Sequence, residues 1–420
     1  MAAILPFHAV RYAAGTDLAR VVTQPYDKIS PDLRQTYQAR DPHNLVNLIL
    51  PEEAAGMDKY QHSAALFKQW YADGTLARDA AAGVYPYRQH FEIFGQQHVR
   101  GGFIARMQVE PYENKIVFPH ERTLAKPKAD RLSLLRAGRV HYGLIFLLYE
   151  DDGRIQSILD HAMTGAPCAA LTDDFAVRNE LWQINDAAGM RAVQAAMADK
   201  QVFIADGHHR YETSLAYAAE NPRDVCAQST MAMFVNIRGP LVILPTHRCV
   251  HGLANYSRAQ LQQALQRDFA VQPCANLDAL LAATRAPQGV ACLGVYDGQD
   301  FYTATLQEPG PMRAAAPARS DDWRALDVAI LHTLVIEGAL DISAARVEQE
   351  AGVTYQRDPQ EAVQRVQSGA AQCAFFLRPT AAAQVCAVAR HGEVMPQKST
   401  DFYPKLLSGL TMYALDLQNA

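Results

Sequence analysis

The sequence Phe-Ile-Ala-Asp-Gly-His-His-Arg-Tyr-Glu at positions 203–212 indicates the fold of this chain more clearly than any other stretch. An apolar strand runs into Asp206 and Gly207, and a helix begins directly after them. The first-turn N–H groups of a helix have no partner within the helix, and the helix dipole favours negative charge there. Gly207 lets the backbone approach a ligand closely, and Arg210 can hold phosphate oxygens with two parallel N–H groups. The stretch therefore predicts an anion site at a strand-to-helix turn.

The other polar side chains of this stretch have more than one interpretation. Asp206, at the end of the strand, is placed to hold Mg²⁺ or to take a proton from a hydroxyl group. His208 and His209 could donate to phosphate oxygens as well. The alternatives are a pair of metal ligands, or structural histidines capped by acids. Because neighbouring helical residues point about 100° apart, two adjacent imidazoles rarely bind one metal.

A basic segment over 117–139 stands out because the chain as a whole is acidic, with 39 Lys and Arg against 44 Asp and Glu and a net charge of −5. Glu121, in a Pro-His-Glu connection between a strand and a helix, is a candidate general base. The alternative is a solvated helix face, since most charge runs are of that kind. The cations that we expect to contact nucleotide phosphates are Arg122, Lys126, Lys128 and Arg131.

Two further polar clusters have equally balanced interpretations. Residues 245–248 follow a short strand, so His247 and Arg248 either line a cleft or have a structural role. Residues 395–405 combine hydroxyl groups, aromatic rings and Lys398 between two prolines. This pattern predicts an ordered loop that faces a ligand or packs the end of the chain.

The chain has 420 residues, and this length predicts two domains. The pattern predicts a helix over 58–73, a hairpin over 84–109 and a buried strand over 142–149. A second α+β pattern starts near 257, so we place a boundary after 250. The expected domains are 1–250, which carries the site, and 251–420, with the 394–410 loop returning to the site.

Several classes of protein are excluded or disfavoured. The seven cysteines include no Cys-x-x-Cys pair, so neither a zinc site nor a disulfide framework is predicted. Without a signal peptide or a long apolar run, we expect a cytoplasmic protein that does not enter a membrane. The net negative charge argues against DNA binding. The motifs of P-loop enzymes, Rossmann dinucleotide sites and serine hydrolase elbows are missing from the sequence.

The chain resembles a bacterial family, domain of unknown function 1015, along nearly its whole length. The segments that carry the resemblance are 21–30, 41–52, 101–107, 117–151, 203–217, 233–248 and 394–410.

Within that resemblance, residues 206–210 are similar to the phosphate-binding motif of the ParB/sulfiredoxin superfamily, in which a strand runs into a Gly-x-x-Arg helix start. Free serine kinases of this superfamily carry an Asp-Gly-His-His-Arg segment and phosphorylate L-serine with ADP or ATP. The resemblance implies an α+β fold: a ParB/sulfiredoxin-like nucleotide-binding core with large N-terminal and C-terminal α+β elaborations. Position 208 lacks the reactive cysteine of sulfiredoxins, and no basic helix-turn-helix follows the motif, so sulfinic acid repair and a partition role are disfavoured.

The activity that the resemblance implies is transfer of a phosphoryl group from ATP or ADP, with Mg²⁺, to a free hydroxy amino acid, first of all L-serine to give O-phospho-L-serine. Asp206 would lie near Mg²⁺, and either Asp206 or Glu121 would deprotonate the hydroxyl group. The competing hypothesis is a non-catalytic nucleotide-binding regulator of the ParB type. The number of subunits stays open, a homodimer included. Gly207, His208, His209 and Arg210 would hold the phosphates, the basic segment would add positive potential, and His247, Arg248 or Lys398 would bind the substrate carboxylate.

Overall fold

The computed structural model describes residues 2–54, 56–123, 125–286 and 289–418, except the side chains of residues 125 and 126. Contacts divide the chain into a first unit, Met1–Leu241 with Pro404–Ala420, and a second unit, Val242–Tyr403. The sequence pattern predicts a boundary after 250, with the 394–410 loop returning to the site. By contacts, residues 242–250 lie in the second unit and residues 404–420 in the first.

The first unit is built on a mixed sheet of nine strands among the described residues, in the order β6-β11-β8-β12-β5-β4-β10-β9 with β1 beside β5. Strands β6 and β11 pair in parallel, as do β8 and β12, and the other pairs are antiparallel. The nine strands of this sheet are β1 (Ile4–Leu5), β4 (Tyr85–Ile93), β5 (Gln96–Gln108), β6 (Val117–Phe118), β8 (Ile145–Tyr149), β9 (Ala169–Thr172), β10 (Arg178–Leu181), β11 (Val202–Asp206) and β12 (Ser229–Asn236). Outside it, β2 (Val10–Tyr12) pairs with β3 (Leu76–Arg78), and β7 (Val140–His141) pairs with Tyr413–Ala414.

Helices cover this sheet because its central strands are apolar on both faces, and a sheet of that kind must be buried on both sides. The five residues of β8 are all buried, as are the first four of β11. A short 3₁₀ helix lies at Tyr26–Lys28, and the returning C-terminal segment adds the strand Tyr413–Ala414. The helices are α1 (Leu18–Val21), α2 (Pro31–Arg40), α3 (Val46–Ile49), α4 (Lys59–Ala72), α5 (Ala125–Gly138), α6 (Arg154–Ala162), α7 (Ala187–Met197) and α8 (His208–Glu220).

The second unit has its own antiparallel sheet of six strands among the described residues, in the order β15-β17-β16-β19-β14-β18. Leu331–Glu337 form a π-helix directly after α13. The six strands of this sheet are β14 (His247–Val250), β15 (Phe269–Cys274), β16 (Cys292–Tyr296), β17 (Phe301–Leu306), β18 (Val353–Gln356) and β19 (Cys373–Phe376). Outside it, β13 (Val242–Ile243) pairs with β20 (Phe402–Tyr403). The helices are α9 (Arg258–Leu265), α10 (Leu277–Arg285), α11 (Gly310–Ala315), α12 (Asp321–Arg324), α13 (Asp327–Ile330), α14 (Ala344–Glu348), α15 (Pro359–Gln367) and α16 (Ala382–Arg390).

The α+β class predicted from the sequence is confirmed. The predicted helix over 58–73 is α4, and the predicted hairpin over 84–109 is the pair β4 and β5. The apolar run 142–149 forms β8 only from Ile145 onward. Among the described residues, no helix is both long and apolar enough to cross a membrane.

The core of the large sheet sets the stability of the first unit. Phe234, on β12, is fully buried and its ring stacks on that of Phe103 at a centroid distance of 4.9 Å. We expect Phe234→Ala to lower the free energy of unfolding by about 3–5 kcal/mol, because it removes buried apolar area and leaves a cavity. Urea denaturation of the whole chain measures this change. The control is Phe94→Ala at the tip of the β4–β5 hairpin, where the ring is 76% exposed. Comparable losses in the two variants would contradict the assigned core.

Candidate functional site

The turn between β11 and α8 brings a carboxylate, a glycine and a guanidinium together. Gly207 has φ of +92°, a left-handed conformation that side chains other than glycine rarely adopt, and it offers no side chain to cap the helix. A Cβ atom built at Gly207 would lie 2.9 Å from Nε of Arg210. The Arg210 side chain therefore folds back over the start of its own helix, into space that only glycine leaves open.

The Arg210 guanidinium has few partners, although little of its side chain is exposed to solvent. Its side chain is 13% exposed, and its ion pair is with Asp206, at 3.6 Å between Nη2 and Oδ1. Among the described residues, no acceptor receives a hydrogen bond from this guanidinium. A guanidinium with so little contact with water gains from a bound acceptor. An anion bound at the turn would supply those acceptors.

Asp206 lies between cations. Its Oδ2 is 3.0 Å from Nζ of Lys405, which belongs to the C-terminal segment of the first unit. Burial would raise the pKa of this carboxyl group, but Lys405, Arg210 and Lys28 hold the pKa far below its usual range. Asp206 is therefore ionised at neutral pH, and positive charge gathers around it.

Sequence analysis missed Lys405 and Lys28. Lys405 falls within the 395–405 cluster and the family segment 394–410, but the candidate named there was Lys398. Lys28 lies in the family segment 21–30. In both cases the family resemblance covers the segment, but the sequence does not show which residue lies near Asp206.

His208 forms a buried pair with His120 beneath the turn. The backbone N–H of His120 donates to Nε2 of His208 at 3.3 Å, and Nδ1 of His120 donates to the carbonyl oxygen of Ile204 at 2.6 Å. Burial lowers the pKa of His120 to about 4 and that of His208 well below its ordinary value, so both rings are neutral at neutral pH. The Nε2 atom of His208 therefore has a structural role as an acceptor, and the proton of the neutral ring is on Nδ1.

His209 lies in an acidic part of the same site. Burial lowers the pKa of this half-buried imidazole, while the charges of Asp27, Glu212 and Glu121 favour its protonated form. The candidate base Glu121 is thus near the turn, with its Oε1 4.0 Å from Nε2 of His120. Asp27, in the 3₁₀ helix Tyr26–Lys28, is a further carboxylate that acts on His209 and that the sequence did not single out.

The cations of α5 are engaged with other parts of the first unit. Nζ of Lys128 donates to Oε2 of Glu212 at 3.2 Å. The guanidinium of Arg131 pairs with Asp130, donates to the carbonyl oxygen of Ile49 and lies over the ring of Tyr26. These contacts hold α5 against its neighbours. Arg122 is exposed, and the side chain of Lys126 lies outside the described part of the chain.

The three candidates for the substrate carboxylate belong to the second unit. The guanidinium of Arg248 donates to the carbonyl oxygens of Gln397 and Lys398 at 3.0 Å each, and to Nε2 of His332. Nδ1 of His247 accepts from the N–H of Leu377. Arg248 and His247 therefore stabilise the second unit, because they bond to the backbone of that unit and to His332.

A cavity of about 550 Å³, counting its open mouth, adjoins Arg210 within the first unit. Its wall combines apolar side chains with hydroxyl groups. The lining residues are Tyr26, Ile49, Arg131, Leu134, Leu135, Val140, His141, Tyr142, Gly143, Arg210, Thr213, Thr230 and Ser408.

A metal ion held only by protein groups does not fit this site. The described residues contain no group of three His, Cys, Asp or Glu side chains that could hold one. Mg²⁺ in nucleotide sites is bound by one or two carboxylates together with phosphate oxygens and water. Asp206 supplies one such carboxylate, so the site fits Mg²⁺ that arrives with phosphate.

The sequence profile described as "Protein of unknown function (DUF1015)" matches residues 4–329. The chain belongs to the DUF1015 family. This confirms the resemblance on which the expected activity was based. A search of curated proteins found no match.

Solved structures with some likeness to this DUF1015 protein include three with informative titles. A conserved hypothetical protein from Pyrococcus furiosus is 11% identical, with a TM-score of 0.35 over 72% of this chain and 94% of that one. A free serine kinase in complex with AMP is 12% identical, with a TM-score of 0.34 over 70% and 89%. SbnI with a C-terminal truncation, from Staphylococcus aureus, is 13% identical, with a TM-score of 0.35 over 74% and 90%.

The turn geometry predicts that Gly207→Ala weakens anion binding. A Cβ atom would be strained at this φ and would push Arg210 away, so we expect the affinity for pyrophosphate to fall by about tenfold or more in calorimetry. The control is Gly153→Ala, where φ is +106° but nothing lies within 4 Å of the added Cβ. Both variants carry the backbone strain, and only one displaces Arg210. Equal affinities in the two variants would contradict this assignment.

The packing of His141 predicts loss of stability in mild acid. Burial lowers the pKa of His141 to about 4, against about 6.5 in an unfolded chain. The unfolded state therefore binds more protons between these values, and the stability present above pH 6.5 is lost as the pH falls toward 4. We expect His141→Phe, which keeps a ring stacked on Tyr413, to give a shallower fall in urea denaturation over this window. His161→Phe, at an exposed position, is the control, and an unchanged slope in His141→Phe would refute the prediction.

Proposed function

We propose that this DUF1015 protein is a phosphotransferase that binds ATP or ADP at the Asp206–Arg210 turn and phosphorylates the hydroxyl group of a free amino acid, first of all L-serine. The observation that carries the proposal is the Arg210 guanidinium, nearly buried, without a hydrogen bond among the described residues, and folded over the open start of α8. The strand-to-helix turn with a Gly-x-x-Arg start also supports a ParB/sulfiredoxin-like nucleotide-binding core.

The basic part of the site suits the phosphate chain. Arg210, Lys405 and Lys28 all act on Asp206, so several positive charges converge beside the helix N-terminus. Phosphoryl transfer depends mainly on neutralising and positioning the phosphate oxygens, with little covalent chemistry from the protein. Mg²⁺, when bound, would neutralise further phosphate charge, and Asp206 is the carboxylate at the turn that would hold it.

The acidic part of the site suits the acceptor. In the proposed reaction the hydroxyl oxygen of serine attacks the terminal phosphorus, the bond from that phosphorus to the bridging oxygen breaks, and the shorter nucleotide leaves with the electron pair. The hydroxyl proton passes to a carboxylate. Since its neighbouring cations hold the pKa of Asp206 far below the usual range, Asp206 is a weak base. Glu121 is the better candidate for the proton, with Asp27 close to the same imidazole, that of His209.

The proposed roles predict different outcomes for two isosteric variants. Glu121→Gln removes the base, and we expect turnover to fall by about 10²- to 10⁴-fold while the nucleotide affinity changes little. Asp206→Asn removes the carboxylate between the cations, and we expect transfer to be lost while nucleotide is still bound. The assay offers ATP or ADP with Mg²⁺ to a panel of free amino acids and detects the phosphorylated product by mass.

The control for these variants is Glu53→Gln, at an exposed position. Normal turnover in both Glu121→Gln and Asp206→Asn would overturn the assigned roles. If the unmodified protein binds nucleotide tightly but yields no product with any acceptor, the protein is a nucleotide-binding regulator and the proposed transfer is wrong.

A further inference from the structure

Lys405 reaches Asp206 from the far end of the sequence. It follows the last residue of the second unit by two positions, and its side chain is 13% exposed. Nothing in the local sequence requires a lysine to be buried there, and burying an ammonium group is costly unless it is paired. Its contact with the Asp206 carboxylate at 3.0 Å provides that pairing.

The backbone that carries Lys405 is held by side chains of the large sheet. Nε2 of Gln89 donates to the carbonyl oxygen of Lys405 at 3.2 Å, and Nη2 of Arg100 donates to the carbonyl oxygen of Pro404 at 2.6 Å. Gln89 on β4 and Arg100 on β5 are paired in register, and Nε of Arg100 donates to Oε1 of Gln89 at 3.2 Å. Two adjacent carbonyl groups are thus held by two adjacent side chains.

A third strand completes this arrangement. Oδ1 of Asn179 on β10 accepts hydrogen bonds from Gln89 at 3.0 Å and from the hydroxyl of Tyr87 at 2.5 Å. All four side chains, Tyr87, Gln89, Arg100 and Asn179, are buried with an exposure of 1% or less. A buried polar network of this kind fixes one geometry, since any shift leaves buried donors without acceptors.

We infer that Lys405 contacts the terminal phosphate of the bound nucleotide, and that Gln89 and Arg100 are positioning residues that hold the Lys405 backbone. The inference rests on the proposed function and adds a residue to its phosphate site. A phosphate chain carries more charge than Asp206, so it would share the Lys405 ammonium group that the carboxylate holds in its absence. Lysine suits this contact because it acts as a compact point charge on a flexible stem.

The test compares AMP, ADP and ATP binding by calorimetry in Lys405→Met. We expect the affinity for ATP and ADP to fall by about tenfold or more and that for AMP by about twofold or less, because only the longer phosphate chains reach a residue at the terminal phosphate. Lys405→Arg keeps the charge and should recover part of the ATP affinity. The control Lys68→Met removes the same charge from an exposed position on α4.

A double-mutant cycle tests the positioning residues. Gln89→Leu should weaken ATP binding in the same direction as Lys405→Met, and the double variant should bind no more weakly than Lys405→Met alone, since both changes act through one ammonium group. Melting temperatures of all variants show whether the fold persists.

The outcomes separate this inference from the proposed function. If the unmodified protein binds no nucleotide, the proposed function fails and the inference fails with it. If the unmodified protein binds ATP and transfers phosphate but Lys405→Met behaves like Lys68→Met, only the inference is wrong. Equal losses for AMP, ADP and ATP in Lys405→Met would show that Lys405 merely supports the fold, which also overturns the inference.

Discussion

The left-handed backbone at Gly207 is the constraint on which the candidate site depends. It ends β11 at Asp206 and starts α8 one residue later, so the strand and the helix meet without a longer loop. The missing side chain also leaves the space into which Arg210 folds. Any other residue would be strained there and would displace the guanidinium. The arginine would then no longer lie beside the carboxylate and the helix start.

At that turn, positively and negatively charged groups act on different residues. Arg210, Lys405 and Lys28 gather about Asp206, while Asp27, Glu121 and Glu212 act on His209. A phosphate donor and a hydroxyl acceptor need opposite surroundings, one to neutralise charge and one to receive a proton. Beneath both parts, the neutral pair of His120 and His208 supports the turn without adding charge to it.

The position of Lys405 depends on a buried polar network rather than on its neighbours in sequence. Gln89 and Arg100 hold the carbonyl groups of residues 404 and 405, and Asn179 holds Gln89 in turn. Three strands of the large sheet thus determine where the end of the chain lies relative to the turn. Because each of these groups is buried, a displaced segment would leave several of them unpaired. The cost of that loss keeps the segment in place.

The sequence by itself determined the α+β class, the strand-to-helix turn at 206–210 and the hairpin of β4 and β5, because apolar periodicity and glycine placement act over short distances. It also determined the family. Tertiary structure alone decided that Lys405 joins the turn, that Arg248 is held by carbonyl groups of its own unit, and that Lys128 pairs with Glu212. Charged side chains look alike in sequence, and Lys405 has a partner that lies 199 residues away along the chain. Tertiary packing alone brings such residues within hydrogen-bonding distance.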